Sequence, residues 1–349
     1  MDKRLYSELN EILLSGTKAA VVSHYSAGKI EKKVYHEDRK EEKDALDALL
    51  ACPEIRTYGP VSFLEQEPFT TIEQYAPKSR LIILGGGHIA LSLVKMARLV
   101  DFSVVVFDDR PAFANGQRFP DADEVICDDF SQVFDKLTIR ETDYVVIVTR
   151  GHKHDTECLE GVLRGKLPTY VGMIGSKRRV DIVLRELAAQ GHSPEDVAAV
   201  HTPIGLKIGA ITPAEIAVSI LSEMIAVKRL NHGGYEDVIS CDHEAIEWLS
   251  QYGDRADAVV TILETNGSVP REAGAKMVIN YEGKIFGTIG GGCAEADMMQ
   301  EARSIIRDHS WGIRKIDLTD SAEEDGMVCG GTMRVLIESN FITEEKRRS

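Results

Sequence analysis

Two cysteines stand in glycine-rich settings toward the C-terminal end of the chain. Gly290-Gly291-Gly292-Cys293-Ala294-Glu295 leads into a helical pattern, and Gly326-Met327-Val328-Cys329-Gly330-Gly331 precedes a strand pattern. Glycines there let backbone amides approach a bulky anionic ligand without side chains in the way. A cysteine at a helix N-terminus meets the positive end of the dipole, which favours thiolate over thiol. Cys293 and Cys329 could thus act as catalytic thiols, ligate a soft metal centre or carry sulfur as a persulfide. The plain alternative is that each is a small buried hydrophobe. That alternative is adopted for Cys52, Cys127 and Cys158 and preferred for Cys241. A third polar loop, Gly267-Ser268-Val269-Pro270-Arg271-Glu272-Ala273-Gly274-Ala275-Lys276-Met277, enters a strand pattern in the same region.

A second chemistry is written near the middle. The apolar strand Leu81-Ile82-Ile83-Leu84 runs into Gly85-Gly86-Gly87-His88-Ile89-Ala90 and then a helix. Gly85, Gly87 and Ala90 fit G-x-G-x-x-G/A: a tight turn, close approach of a pyrophosphate, and close helix packing. Asp108 ends the next strand pattern, where an acid is expected to hold a ribose hydroxyl. Arg110 follows and could take a 2′-phosphate instead, so NAD, NADP and an empty turn all stay open. His88 lies inside the turn. Arg150-Gly151-His152-Lys153-His154 and Ser176-Lys177-Arg178-Arg179 each follow a later strand, where open α/β sheets place ligands. The second of these could hold a further phosphate.

These residues need a frame. Strand patterns at Leu81–Leu84, Ser103–Phe107, Glu124–Cys127, Tyr144–Val148 and Thr169–Met173 alternate with helical ones, which implies a parallel Rossmann-type sheet over 78–229. Thr212-Pro213-Ala214-Glu215 opens its last helix. The expected fold class is α/β, with this domain flanked by smaller α/β domains at 1–77 and 230–349. The first shows a helix around Leu5–Leu13, a strand at Ala19–Val22, a charged run and a helix at Ala45–Ala51. Pro60, Pro68 and Pro77 then read as a linker. Asn231–Tyr235 reads as a second linker and 344–349 as a frayed tail. In the last domain helices are expected at Glu244–Ser250 and Ala294–Arg307. Its strands are expected at Ala258–Leu263, Lys276–Asn280, Lys284–Thr288 and Thr332–Ser339. Strand, turn and helix follow one another alike in the two outer segments, a faint internal repeat whose first copy lacks the cysteine loops.

Composition narrows the function classes. The chain has 349 residues and a formal net charge of −15, which works against nucleic acid. No secretory signal or membrane-length apolar run is visible, so a cytoplasmic protein is expected. Six cysteines, none in C-x-x-C pairs, argue against a disulfide framework or a zinc ribbon. They are also too few for two [2Fe–2S] clusters, which need eight cysteine ligands.

The segments 267–277, 290–295 and 327–331 resemble the XdhC/CoxI family, and 85–90 with His201-Thr-Pro-Ile-Gly-Leu-Lys-Ile-Gly-Ala-Ile-Thr-Pro-Ala-Glu-Ile-Ala217 resemble its Rossmann partner domain. The resemblance spans about Lys78 to Ser339. It implies an accessory factor for xanthine dehydrogenase or a related molybdenum hydroxylase in purine catabolism. Such a factor binds molybdenum cofactor, a molybdopterin, and helps its sulfuration and insertion into the apo-enzyme. A cysteine desulfurase is then a further partner, and a homodimer is a plausible assembly. Carried onto this chain, the resemblance puts Cys293 and Cys329 at the molybdenum end, beside Gly290, Gly291 and Gly292, and Arg271 at the phosphate. In the commoner arrangement the cysteine domain precedes the Rossmann domain; here the segment before Ala76 holds that place. This leaves open whether one chain completes a site. An NAD(P)-dependent oxidoreductase associated with xanthine dehydrogenase and a persulfide-carrying sulfurtransferase are the alternatives. For the first, His88, His152 or His154 would have to serve as acid–base.

Overall fold

The computed structural model describes residues 1–26, 29–66, 68–230, 242–318 and 331–340, and of Lys177 and residues 292–294 the backbone alone. Among the described residues no helix is long and apolar enough to cross a membrane. The chain divides into two compact units, Lys78–Gly233 and the two outer segments taken together, Met1–Pro77 with Gly234–Ser349. The regions expected to be separate flanking domains thus share one core.

The first half of that outer unit runs α1 (Lys3–Leu14), β1 (Ala19–Ser26), β2 (Lys29–His36), α2 (Lys40–Leu50), β3 (Arg56–Tyr58), β4 (Val61–Leu64) and β5 (Phe69–Tyr75). The strands form an antiparallel sheet in the order β2-β1-β5-β4-β3. The proline-marked stretch is therefore sheet, not linker. Pro60 and Pro68 stand directly before β4 and β5, where a missing N–H interrupts no ladder.

The middle unit runs β6 (Ser79–Leu84), α3 (His88–Leu99), β7 (Phe102–Asp108), β8 (Glu124–Cys127), α4 (Val133–Lys136), β9 (Tyr144–Ile147), α5 (His152–Leu163), β10 (Tyr170–Met173), α6 (Lys177–Ala189), α7 (Pro194–Ala198) and α8 (Pro213–Leu230). Its all-parallel sheet has the order β10-β9-β6-β7-β8, the Rossmann order. Leu81 to Leu84 are fully buried because β6 is covered on both faces. Leu81 and Ile83 meet α3 and α8, while Ile82 and Leu84 meet α5 and α6. At the start of α8, Thr212 and Glu215 cap each other reciprocally.

The chain then returns to the outer unit with α9 (His243–Tyr252), β11 (Ala256–Asn266), β12 (Lys276–Asn280), β13 (Ile285–Gly287), α10 (Gly292–Arg307), β14 (Trp311–Asp317) and β15 (Thr332–Ser339). The sheet order is β13-β12-β11-β15-β14, again antiparallel. Strand alternation sorts the side chains into two layers. Ala258, Val260 and Ile262 pack under α10, as Ala20 and Val22 pack under α2. The opposite faces meet each other. Val21, Val34, Val259 and Val278 join α1 and α9 in one cluster, and Tyr25, Phe63, Phe69, Leu263 and Leu336 form another. Tyr25 donates to Glu338 at 3.1 Å across this seam.

Candidate functional site

The glycine-rich loops of the outer unit converge on one end of the β11 sheet. The first spans β11 to β12, the second joins β13 to α10, and of the third Gly331 alone, at the entry to β15, is among the described residues. A Cβ on Gly290 would collide with the Pro270 ring, and one on Gly331 would overlap the carbonyl oxygens of Ser268 and Asn266. The first loop therefore touches both Gly290 of the second and Gly331, at distances only glycine permits. Gly290 and Gly291 also have φ of 127° and 75°, a backbone region closed to most side chains. The backbone of Cys293 lies in the first turn of α10. Its side chain, with Cys329, Cys241, the Asn231–Tyr235 linker and the tail, lies outside the described residues. Among the described residues, no group of three or more His, Cys, Asp or Glu is gathered as a metal site.

The amides of Ile289, Gly290 and Gly291 are not open to a ligand as the glycine run implied. Glu295 folds back over the helix start. Its Oε1 accepts from Gly291 N at 3.0 Å, Ile289 N at 3.2 Å and the Thr288 hydroxyl at 2.5 Å. The Thr288 hydroxyl in turn accepts from Gly290 N at 3.0 Å. A carboxylate already occupies the anion position at this helix N-terminus. Arg271 is likewise engaged: its Nη2 donates to Asp242 Oδ2 at 3.0 Å, and the same oxygen accepts from Lys276 N at 3.2 Å. Sequence reasoning misses both Glu295 and Asp242. An acid in the first turn after a glycine run is the available signal for Glu295; Asp242 has none, because it lies 29 positions from Arg271.

In the middle unit the turn after β6 has the expected shape. Gly85 has φ of 118°, and a Cβ there would press on Val148 O at 2.5 Å. Gly87 caps α3 with no side-chain bond, and a Cβ on it would meet nothing within 4 Å. Ala90 is buried against the sheet, and His88 is exposed. Asp108, however, is engaged within the protein. Its Oδ1 accepts from Arg110 N at 3.0 Å and Nε at 2.8 Å; its Oδ2 accepts from Gly86 N at 2.7 Å and Arg110 Nη2 at 2.8 Å. Burial alone would raise this carboxyl, but Arg110 and Gly86 hold it below the ordinary range. Phe113 O lies where a Gly86 side chain would go, and the guanidiniums of Arg110 and Arg118 lie over the Phe113 ring at 3.7 and 4.8 Å.

Two arginines of the basic segments are also committed to structure. Arg179 donates to the fully buried Asp155 and to Thr149 O, and the Thr149 hydroxyl donates to Asp155 at 2.6 Å. Arg150 pairs with Asp109 at 2.6 Å, and His154 lies 3.1 Å from Glu157. His152 stays exposed. The 201–217 motif edges the sheet at β10. His201 N donates to Val171 O at 2.9 Å, and Glu223 accepts from Tyr170 OH at 2.6 Å and Gly205 N at 2.9 Å. Of the three cysteines expected to be buried, only Cys158 is; Cys52 is half-buried and Cys127 exposed.

Both sites lie in large part within segments that match known families. The XdhC Rossmann domain model matches residues 81–224, and the XdhC and CoxI family model matches residues 253–317. The Escherichia coli (strain K12) protein YqeB is 32% identical over 164 residues, 47% of this chain and 30% of that protein. A probable xanthine dehydrogenase subunit of Bacillus subtilis (strain 168) is 34% identical over 158 residues, 45% of this chain and 46% of that one. The chain thus spans less than half the length of these curated relatives. A crystal structure of a xanthine dehydrogenase from Bacillus halodurans is 31% identical, with a TM-score of 0.51 over 65% of each chain. The two matched segments hold the glycine turn, the 267–277 loop and the Gly290–Cys293 helix start, and the chain belongs to the XdhC and CoxI family.

Proposed function

We propose that this protein is an accessory factor for xanthine dehydrogenase or a related molybdenum hydroxylase, and that it holds molybdenum cofactor during sulfuration and insertion. The observation that carries this reading is the close contact of Gly290 and Gly331 with the 267–277 loop at one sheet end, each glycine near Cys293 or Cys329 in sequence. The names of the Bacillus relatives support the choice of partner. The groups present suit a molybdopterin. Thiols are donors for a soft metal centre, and Arg271 is a fork for its phosphate once Asp242 releases it. Glu295 marks where an anion is tolerated. The cofactor would supply the molybdenum and its dithiolene; the chain's own residues bind, orient and shield it. The apo-hydroxylase and a sulfur donor such as a cysteine desulfurase are the proposed partners, and a cytoplasmic location is proposed with them. An NAD(P)-linked oxidoreductase is disfavoured, because Asp108 has no acceptor left for a ribose.

The test is retention of isolated molybdenum cofactor by the purified chain, read as molybdenum content and pterin fluorescence after gel filtration. Near-stoichiometric retention that falls at least tenfold in Cys293→Ala is expected. Equal retention by wild type and Cys293→Ala, or none by either, would sink the reading.

A further inference from the structure

The two halves of the outer unit share more than an outline. Each is a helix, two antiparallel strands, a helix, and a pair of strands returning to the first (α1-β1-β2-α2-β4-β5 and α9-β11-β12-α10-β14-β15). In each sheet the first strand is flanked by the second and the last, and the last by the one before it. Residue register agrees as well. On β1, Val21 stands opposite Glu73 of β5, and Ser23 stands between Lys32 of β2 and Thr71 of β5. On β11, Val259 stands opposite Glu338 of β15, and Thr261 stands between Lys276 of β12 and Leu336 of β15. Lys32 therefore corresponds to Lys276, and Glu73 to Glu338. These four charges pair crosswise between the halves: Lys32 with Glu338 at 2.6 Å, and Lys276 with Glu73. The corresponding valines, Val21 with Val259 and Val34 with Val278, share the cluster beside them. Residue i of one half meeting residue j of the other, and j meeting i, is the signature of a two-fold interface between identical partners.

We infer that residues 1–77 are a second copy of the C-terminal half without its site, seated where another copy of that half would stand. One chain then completes the paired core unaided and carries a single cysteine site. The first copy has no room for a second one. Two residues join β1 to β2, where nine, 267–275, join β11 to β12. The β2–α2 connection, Glu37-Asp38-Arg39, has neither glycine nor cysteine. The inference stands on register and pairing and holds whatever ligand the loops take.

The test reverses charges in the full-length chain. Lys276→Glu sets two carboxylates together in a buried seam, and the folding equilibrium constant should fall more than about a hundredfold. Adding Glu73→Lys to the same chain should recover folded protein, whereas co-expressing a Lys276→Glu chain with a Glu73→Lys chain should not. Recovery in trans only would overturn the inference. If reversed pairs do not fold in either setting, the neutral variants Lys276→Met and Glu73→Gln decide through melting temperature. An intrachain pair couples in the double-mutant cycle, with melting unchanged over a hundredfold range of protein concentration. A melting temperature that climbs with concentration would show the seam to lie between chains and would reject the inference.

Discussion

Arg110 lies across Asp108 with both prongs, Nε on Oδ1 and Nη2 on Oδ2, each at 2.8 Å. With the amides of Gly86 and Arg110 on the same two oxygens, the carboxylate's four lone-pair sites are filled. A Rossmann acid in this state has nothing to offer a ribose hydroxyl. Wild-type protein should therefore bind NADH and NADPH no tighter than the millimolar range in a fluorescence titration. Arg110→Ala frees two of the sites, and a regained hydrogen bond to a charged group is worth about 1.5–3 kcal/mol. That variant should bind NADH at least tenfold tighter. Micromolar NADH binding by the wild type would show that Arg110 swings away, and the argument would fail.

Gly86 and Gly87 are neighbours with opposite demands. A Cβ on Gly86 would run into the backbone of Phe113, which cannot retreat as a side-chain tip can. Gly86→Ala should cost about 1–3 kcal/mol, the usual range for overpacking. Gly87 has φ of −70° and open space around it. Gly87→Ala meets no clash and should cost less, about 0.5–1 kcal/mol, because alanine is a poorer N-cap than glycine. If an anion docks on the start of α3, only the second variant weakens it without harming the fold. Urea denaturation and phosphate-ester binding, measured on both variants, separate the two roles.

The contrast between these glycines shows how far the sequence reaches. Local pattern suffices for the parallel sheet, because β6, β7 and β9 are short apolar runs bounded by turn residues. It suffices for β12 and β15 too, whose limits agree to the residue. It fails for β3, β4 and β5. Their prolines look like a linker until β5 is seen to pair with β1, far back in the chain, and to carry β4 and β3 beside it. The same blindness to long range hid the shared core, since Lys276 and Glu73 are 203 positions apart. At the candidate site the motif residues were legible, but their occupancy was not. Glu295, Asp242 and Arg110 each fill a position that the sequence pattern assigned to a ligand, and only the folded chain shows which donors and acceptors are already used.

Glu295 holds the α10 start through two amides and a hydroxyl. Glu295→Ala should lower stability by about 1–3 kcal/mol, the range for charge-assisted bonds and caps. The loss should be local. In hydrogen exchange, the amides of Ile289 and Gly291 should lose protection, while those of β11 and β15 keep theirs. Glu295→Gln retains an acceptor and should fall between Ala and wild type. Protection unchanged in Glu295→Ala would mean that the glycine turn holds itself.

The buried pairs also set a pH window. Burial pushes the Glu73 carboxyl up, but Lys276 and Lys32 pull harder, and it settles below its ordinary value of 4.5. Such a group adds stability that is complete above its unfolded value and is lost as pH falls through the folded one. Burial pushes the Lys276 ammonium down, but Glu73 and Tyr6 outweigh it, and it settles above its ordinary 10.5. Its contribution is complete below that value and is lost as pH rises through the higher folded one. For this pair, stability should be level from about pH 5 to pH 10 and fall on either side. Glu73→Gln leaves a buried ammonium without its counter-charge, so it should cost about 3–5 kcal/mol at neutral pH. It should also remove part of the acid limb, because the titrating carboxyl is gone. Thermal melts of both proteins from pH 3 to pH 8, with the difference between their melting temperatures shrinking below pH 4.5, are the expected record. A constant difference across that range would mean that Glu73 is not the group whose protonation weakens the seam.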